Sequence, residues 1–168
     1  TGDTVVLLKN VDRPWSVLGI DKKITLTAAE GFSFNGRLLF EKGSAGSQVV
    51  DMTFEYEGPT TGPCITIEDA PGVVVRGCTV TSDAFIEIEG TSDFAKVYDC
   101  KFTNGGSVSI EHASDVEVSR CEFALDAQGW CIKAADAPDV KIAGNKFKLV
   151  GSRRTSSVKA IYLSGAAT

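Results

Sequence analysis

A short alternation of apolar and polar residues returns along this chain at nearly constant intervals. Five segments align directly: SQVVDMTF (47–54), GVVVRGCTV (72–80), AKVYDCKF (95–102), VEVSRCEF (116–123) and VKIAGNKF (140–147), with a weaker copy in ITLTAAEG (24–31). Period-two alternation sends every other side chain to one face, so each segment reads as a short strand, a two-residue bend and a second short strand. One aligned column runs Ala29, Met52, Cys78, Cys100, Cys121, Asn145. Two residues on, the column runs Gly31, Phe54, Val80, Phe102, Phe123, Phe147.

A longer strand follows each of these units: RLLFE (37–41), CITIE (64–68), FIEIE (85–89), SVSIE (107–111), CIKAA (131–135) and AIYLS (160–164). Their inward columns are Leu38, Ile65, Ile86, Val108, Ile132, Ile161 and Phe40, Ile67, Ile88, Ile110, Ala134, Leu163. Polar turns such as EDAPG, EGTSD, EHASD and ADAPD close each unit. Short strands joined by Asp/Gly/Ser/Pro turns, repeating every 21–29 residues, predict an all-β fold. The expected architecture is a right-handed, single-stranded parallel β-helix of about six to seven coils, with like residues stacked on like. A leucine-rich repeat would need helical segments of about ten residues, which are absent, and a β-sandwich would give no fixed repeat column. We read residues 1–168 as a single domain, with 1–23 as an opening strand and cap and 24–168 as repeating coils. The chain stops directly after a strand, so the open ladder edge is expected either to continue as further β-helix or to pack on a partner, a second copy included.

The opening TGDTVVLL, the ITLTAAEG segment and the VxVxxCxF units resemble the pectin-lyase-like superfamily of right-handed parallel β-helices, and most of all its secreted bacterial members. The resemblance spans nearly the whole chain but rests on fold motifs. It implies polysaccharide or cell-surface glycan as the partner and an extracellular or cell-surface location, with the periplasm or a virion as further settings. The superfamily includes polysaccharide lyases, glycoside hydrolases, phage tailspikes and non-catalytic surface proteins. No polygalacturonase acid pair and no lyase Lys/Arg motif is matched here.

Charge and composition narrow the partner. Apolar residues make up 43% of the chain without any run near the roughly 20 residues of a membrane span. The net charge of −5 argues against nucleic acid. No basic segment followed by an apolar one opens the chain, so a signal peptide is either absent or already removed. With one histidine, a His-based zinc site is not expected. Cys78, Cys100 and Cys121 share an inward column and are expected to be buried thiols rather than disulfides, and Cys64 and Cys131 lie about three coils apart.

The candidate chemistry is a column of carboxylates, Glu41, Glu68, Glu89 and Glu111, with Glu87 on the same face and Lys133 beside it. Stacked carboxylates raise one another's pKa or invite a cation. Glu87, Glu89, Glu111, His112 and Lys133 are therefore candidate catalytic residues. Glu68, Glu89 and Glu111 are a candidate Ca²⁺ site, with no other cofactor expected. The plainer and favoured readings are a solvated acidic stripe and an exposed turn histidine. Trp130, Tyr162, Arg153 and Arg154 would add aromatic and basic groups to a groove suited to glycan. Taken together, the expected function is recognition of, or scaffolding on, polysaccharide by a non-catalytic module. A polysaccharide lyase or glycoside hydrolase using the acidic face, and a phage tail component, are the alternatives.

Overall fold

In-register stacking of the repeated strands generates the whole architecture. The protein is described by a computed structural model covering residues 2–55, 62–81, 84–125, 129–150 and 158–165. It is a parallel β-solenoid of about six turns.

The first ladder has seven strands: β1 (Asp3–Leu7), β3 (Ile24–Ala28), β5 (Gln48–Val50), β8 (Val74–Arg76), β11 (Lys96–Tyr98), β14 (Glu117–Ser119) and β17 (Lys141–Ala143), hydrogen-bonded in that order. The second sheet joins two ladders. One is made of short strands, β6 (Thr53–Phe54), β9 (Thr79–Val80), β12 (Lys101–Phe102), β15 (Glu122–Leu125) and β18 (Lys146–Leu149). The other is made of longer ones, β7 (Pro63–Glu68), β10 (Phe85–Glu89), β13 (Ser107–Glu111), β16 (Gly129–Ala135) and β19 (Val158–Ser164). The long strand β4 (Ser33–Phe40) belongs to both, pairing Phe34 with Phe54 and Phe40 with Ile67. Residues 3–7 and 11–20 are themselves rungs: β1 lies on β3, and β2 (Val11–Ile20) lies on β4.

The core is the set of inward columns. Leu38, Ile65, Ile86, Val108 and Ile132 are fully buried, as are Phe40, Ile67, Ile88, Ile110 and Ala134. Ile161 and Leu163, next in these columns, are exposed on the last described coil. The aromatic column stacks ring on ring: Phe102 and Phe123 lie 4.6 Å apart and nearly parallel, and Phe123 and Phe147 lie 5.4 Å apart. These separations match the spacing of neighbouring strands. The first member of this column is Phe34 rather than the expected Gly31, because β4 starts at Ser33 and pairs Phe34 with Phe54. The first coil therefore carries a longer bend than its copies.

The turns stack as strictly as the strands. Three columns of residues hold left-handed backbone: Gly46, Gly72, Phe94, Asp115, Asp139; Asp51, Gly77, Asp99, Arg120, Gly144; and Asp69, Gly90, His112, Asp136, Gly165. Many of their N–H groups donate to a carbonyl of the next coil, as from Phe94 to Ser114 and from Arg120 to Ala143. Most members are Gly or Asp, the residues that adopt this conformation most readily. Phe94, at φ +61°, is a bulky exception.

Two substitutions test this account. Phe123→Ala removes the middle ring of the stack and should cost about 3–5 kcal/mol in a denaturant melt. Phe94→Gly relieves a strained, exposed residue at a position that two other coils fill with glycine. It should leave stability unchanged or raise it by about 1 kcal/mol.

Candidate functional site

The longer strands turn every second side chain outward, and the pairing register aligns those side chains across coils. One outward column is Thr66, Glu87, Ser109, Lys133, Tyr162. The next is Glu68, Glu89, Glu111, Ala135, Ser164. Glu41 directly follows Phe40, the partner of Ile67, and so stands level with Glu68. The expected stack of glutamates on neighbouring strands is therefore present.

The glutamate column is exposed at Glu41 and Glu68 and half-buried at Glu89 and Glu111, whereas the column beside it is buried at Thr66 and Ser109. Thr66 is 0% exposed although it points away from the core. Above it, the Arg37 guanidinium donates to the Thr66 hydroxyl through Nε at 3.1 Å and Nη2 at 2.8 Å. The Thr66 hydroxyl lies 3.4 Å from a Glu87 carboxylate oxygen, and Arg37 lies 3.8 Å from that same oxygen. At the other end, the Lys133 ammonium donates to the Glu111 carboxylate and sits 5.6 Å above the Trp130 ring. Trp130 in turn stacks on Tyr162 with ring centroids 6.2 Å apart, and Lys159 lies 4.4 Å over the Tyr162 ring. Trp130 remains 40% exposed. A continuous strip of cation, hydroxyl, carboxylate and aromatic groups thus runs across six successive rungs, from β4 to β19, roughly 24 Å at the interstrand spacing.

Between its two cationic ends the strip keeps an excess of negative charge. The Glu89 carboxyl is pushed above the ordinary glutamate range, first by partial burial and then by Glu87, Glu68 and Glu111, with Arg37 opposing. Among the described residues, no group of three or more His, Cys, Asp or Glu is arranged to hold a metal ion, Glu68, Glu89 and Glu111 included. His112 is exposed and occupies the left-handed turn position that Asp69, Gly90 and Asp136 fill in other coils. Its backbone N–H donates to Ala135, and its side chain has no hydrogen-bond or ion-pair partner among the described residues. The structure thus brings together Glu87, Glu89, Glu111, Lys133, Trp130 and Tyr162, and leaves the His112 ring apart. Arg153 and Arg154 lie outside the described residues.

Arg37 and Lys159 are members that sequence reasoning did not find. Arg37 reaches Thr66 across 29 positions of sequence, a diagonal relation that a column alignment does not show. The available signal was a lone arginine at the head of a strand whose copies begin with Cys, Phe, Ser or Ala. All five cysteines are free and buried. Burial pushes the Cys64 and Cys131 thiols up to about 12, so neither is a thiolate nucleophile at neutral pH.

The chain was compared with protein-family models, curated proteins and solved structures, and nothing matched. Among the described residues, no helix is long and apolar enough to cross a membrane.

The raised Glu89 pKa makes a signed prediction. A carboxyl that holds its proton more tightly when folded gives a native state with more bound protons, so stability falls as pH rises from the ordinary glutamate range through the folded pKa. Glu89→Gln removes that loss. The variant should melt higher than the parent at pH 7, and the difference should vanish below the ordinary glutamate pKa of about 4.3. Equal melting temperatures at both pH values would refute the raised pKa of Glu89.

Proposed function

We propose that this chain is a β-helix module that recognises, or scaffolds on, polysaccharide outside the cell, with the strip on its longer strands as the contact surface. The observation that carries this reading is the Trp130–Tyr162 stack with Lys133 and Lys159 over its rings. Trp130 and Tyr162 lie diagonally across neighbouring rigid strands, the 40% of Trp130 that stays exposed offers apolar surface to a sugar ring, and flanking ammonium and carboxylate groups can bind its hydroxyls. A strip extending over several coils suits an extended polymer better than a small metabolite. The sequence resemblance to the pectin-lyase-like superfamily, whose partners are mainly polysaccharides, points the same way and is the basis for an extracellular location.

One observation favours a second reading, cleavage of the bound polymer. Glu89 is a carboxyl with an upward-shifted pKa beside three other carboxylates, the setting in which one group donates a proton while another stays ionised. No match to a catalytic motif accompanies it, so recognition without chemistry is the preferred conclusion.

The test is a panel of alginate, pectate, chondroitin and neutral glycans, with retention and unsaturated, ultraviolet-absorbing products followed together. Trp130→Ala and Tyr162→Ala should each weaken retention about tenfold, or about 1.4 kcal/mol. Retention unaffected by both substitutions would remove this surface from the reading. Products that disappear in Glu89→Gln would convert the module into an enzyme.

A further inference from the structure

The seven-stranded first ladder carries a second constellation. Val74, Lys96 and Glu117 form one outward column on β8, β11 and β14, and Arg76, Tyr98 and Ser119 form the next. Each strand lies between two left-handed turn positions, filled almost everywhere by Gly or Asp. The exceptions are Phe94 before β11 and Arg120 after β14. Both line a single depression of about 530 Å³, together with Val74, Lys96, Tyr98 and Glu117. That volume lies within the usual range of small-ligand sites.

Three features prepare this trough for a ligand. Phe94 holds a strained backbone conformation while 57% of its surface faces solvent, so core packing does not account for it. Arg120 is fixed in place by two bonds to Asp99, at 2.7 and 2.9 Å, and its guanidinium lies 5.3 Å over the Tyr98 ring. Lys96 has Val74 on one side of its column and Glu117 on the other. Glu117 is engaged by Lys141 at 3.3 Å, and Lys96 forms no ion pair among the described residues. The trough therefore offers an exposed aromatic face, a pre-positioned guanidinium and an ammonium with spare capacity for an anion.

We propose that this trough is a second carbohydrate site that takes one saccharide unit carrying a carboxylate or sulfate, its ring against Phe94 and its anionic group at Lys96. The proposal rests on the reading of the chain as a polysaccharide-binding module, and it places a second contact surface on a different sheet from the Trp130 strip. A chain with two such surfaces can bridge two polymer strands, and bivalent engagement raises avidity without new contacts.

The test is a titration of the full chain, followed residue by residue in its amide nuclear magnetic resonance spectrum. The probes are a chondroitin 4-sulfate tetrasaccharide, its desulfated analogue and neutral cellotetraose. The acidic oligosaccharides should shift the amides of Phe94, Lys96, Tyr98 and Arg120, with affinity at least about tenfold above cellotetraose. Phe94→Gly and Lys96→Gln should each weaken this response about fivefold or more without lowering the melting temperature, and Trp130→Ala should leave it intact. A response to the sulfated probe alone assigns the anion as sulfate, and a response to both shows that a carboxylate suffices. The proposal is overturned if no trough amide moves, if cellotetraose binds equally well, or if Phe94→Gly binds as the parent does. Loss of a concentration-dependent dimer in Phe94→Gly, with no saccharide response, would instead make the trough a contact between copies. Failure here with Trp130 amides still responding removes only this second site, whereas a trough response without the Trp130 strip removes only the first.

Discussion

Parallel coils hydrogen-bonded in register about 4.8 Å apart place each residue directly against its counterpart one turn away. Every other feature of this protein answers to that constraint. Apolar groups gain from it: the Phe102–Phe123 ring separation of 4.6 Å is the strand spacing expressed in side chains. The buried thiols of Cys78, Cys100 and Cys121 obey the same rule as compact filler that also bonds backbone carbonyls.

Charged groups lose from it, and the two kinds of outward face resolve the loss differently. Away from the longer strands, sign alternates from coil to coil, as in Glu122–Lys146 and Glu117–Lys141. Exposed pairs of this kind contribute little energy but penalise a slip of register. On the longer strands the sign does not alternate. Glu68, Glu89 and Glu111 follow one another, with Arg37 acting near one end through Thr66 and Glu87 and Lys133 at the other through Glu111. The Glu89 carboxyl, raised first by its partial burial and then by the neighbouring carboxylates, sits between these two cations with its shift not offset. A scaffold optimised only for stability would alternate here as it does elsewhere, which is the physical reason for seeking function on this strip.

The fold was legible because a period of two within strands and a nearly fixed period between coils are both visible in one dimension. The inward columns, the glutamate column and the outward column ending in Tyr162 all fall in the predicted register. Where the alignment failed, connection length was the cause: the longer bend before Ser33 moved Phe34, not Gly31, against Phe54. The candidate site was legible as columns but not as contacts. The stacking of Trp130 on Tyr162 and the reach of Arg37 to Thr66 depend on where long side chains lean between coils, and an alignment carries no information about that.

The left-handed turn columns were hidden for a related reason. Backbone conformation, not side-chain identity, is what the stacked turns require, so Phe94, Arg120 and His112 stand where neighbouring coils have Gly or Asp. Such a position bears on the core only through its φ angle. Its side chain is released from packing and projects at the edge of a sheet. A solenoid can therefore change what it presents at these positions at a modest local cost in strain, without disturbing a buried column. Two of the three exceptions, Phe94 and Arg120, line the same depression. That coincidence locates in the turns a freedom to vary that the ladders, bound to put like on like, do not have.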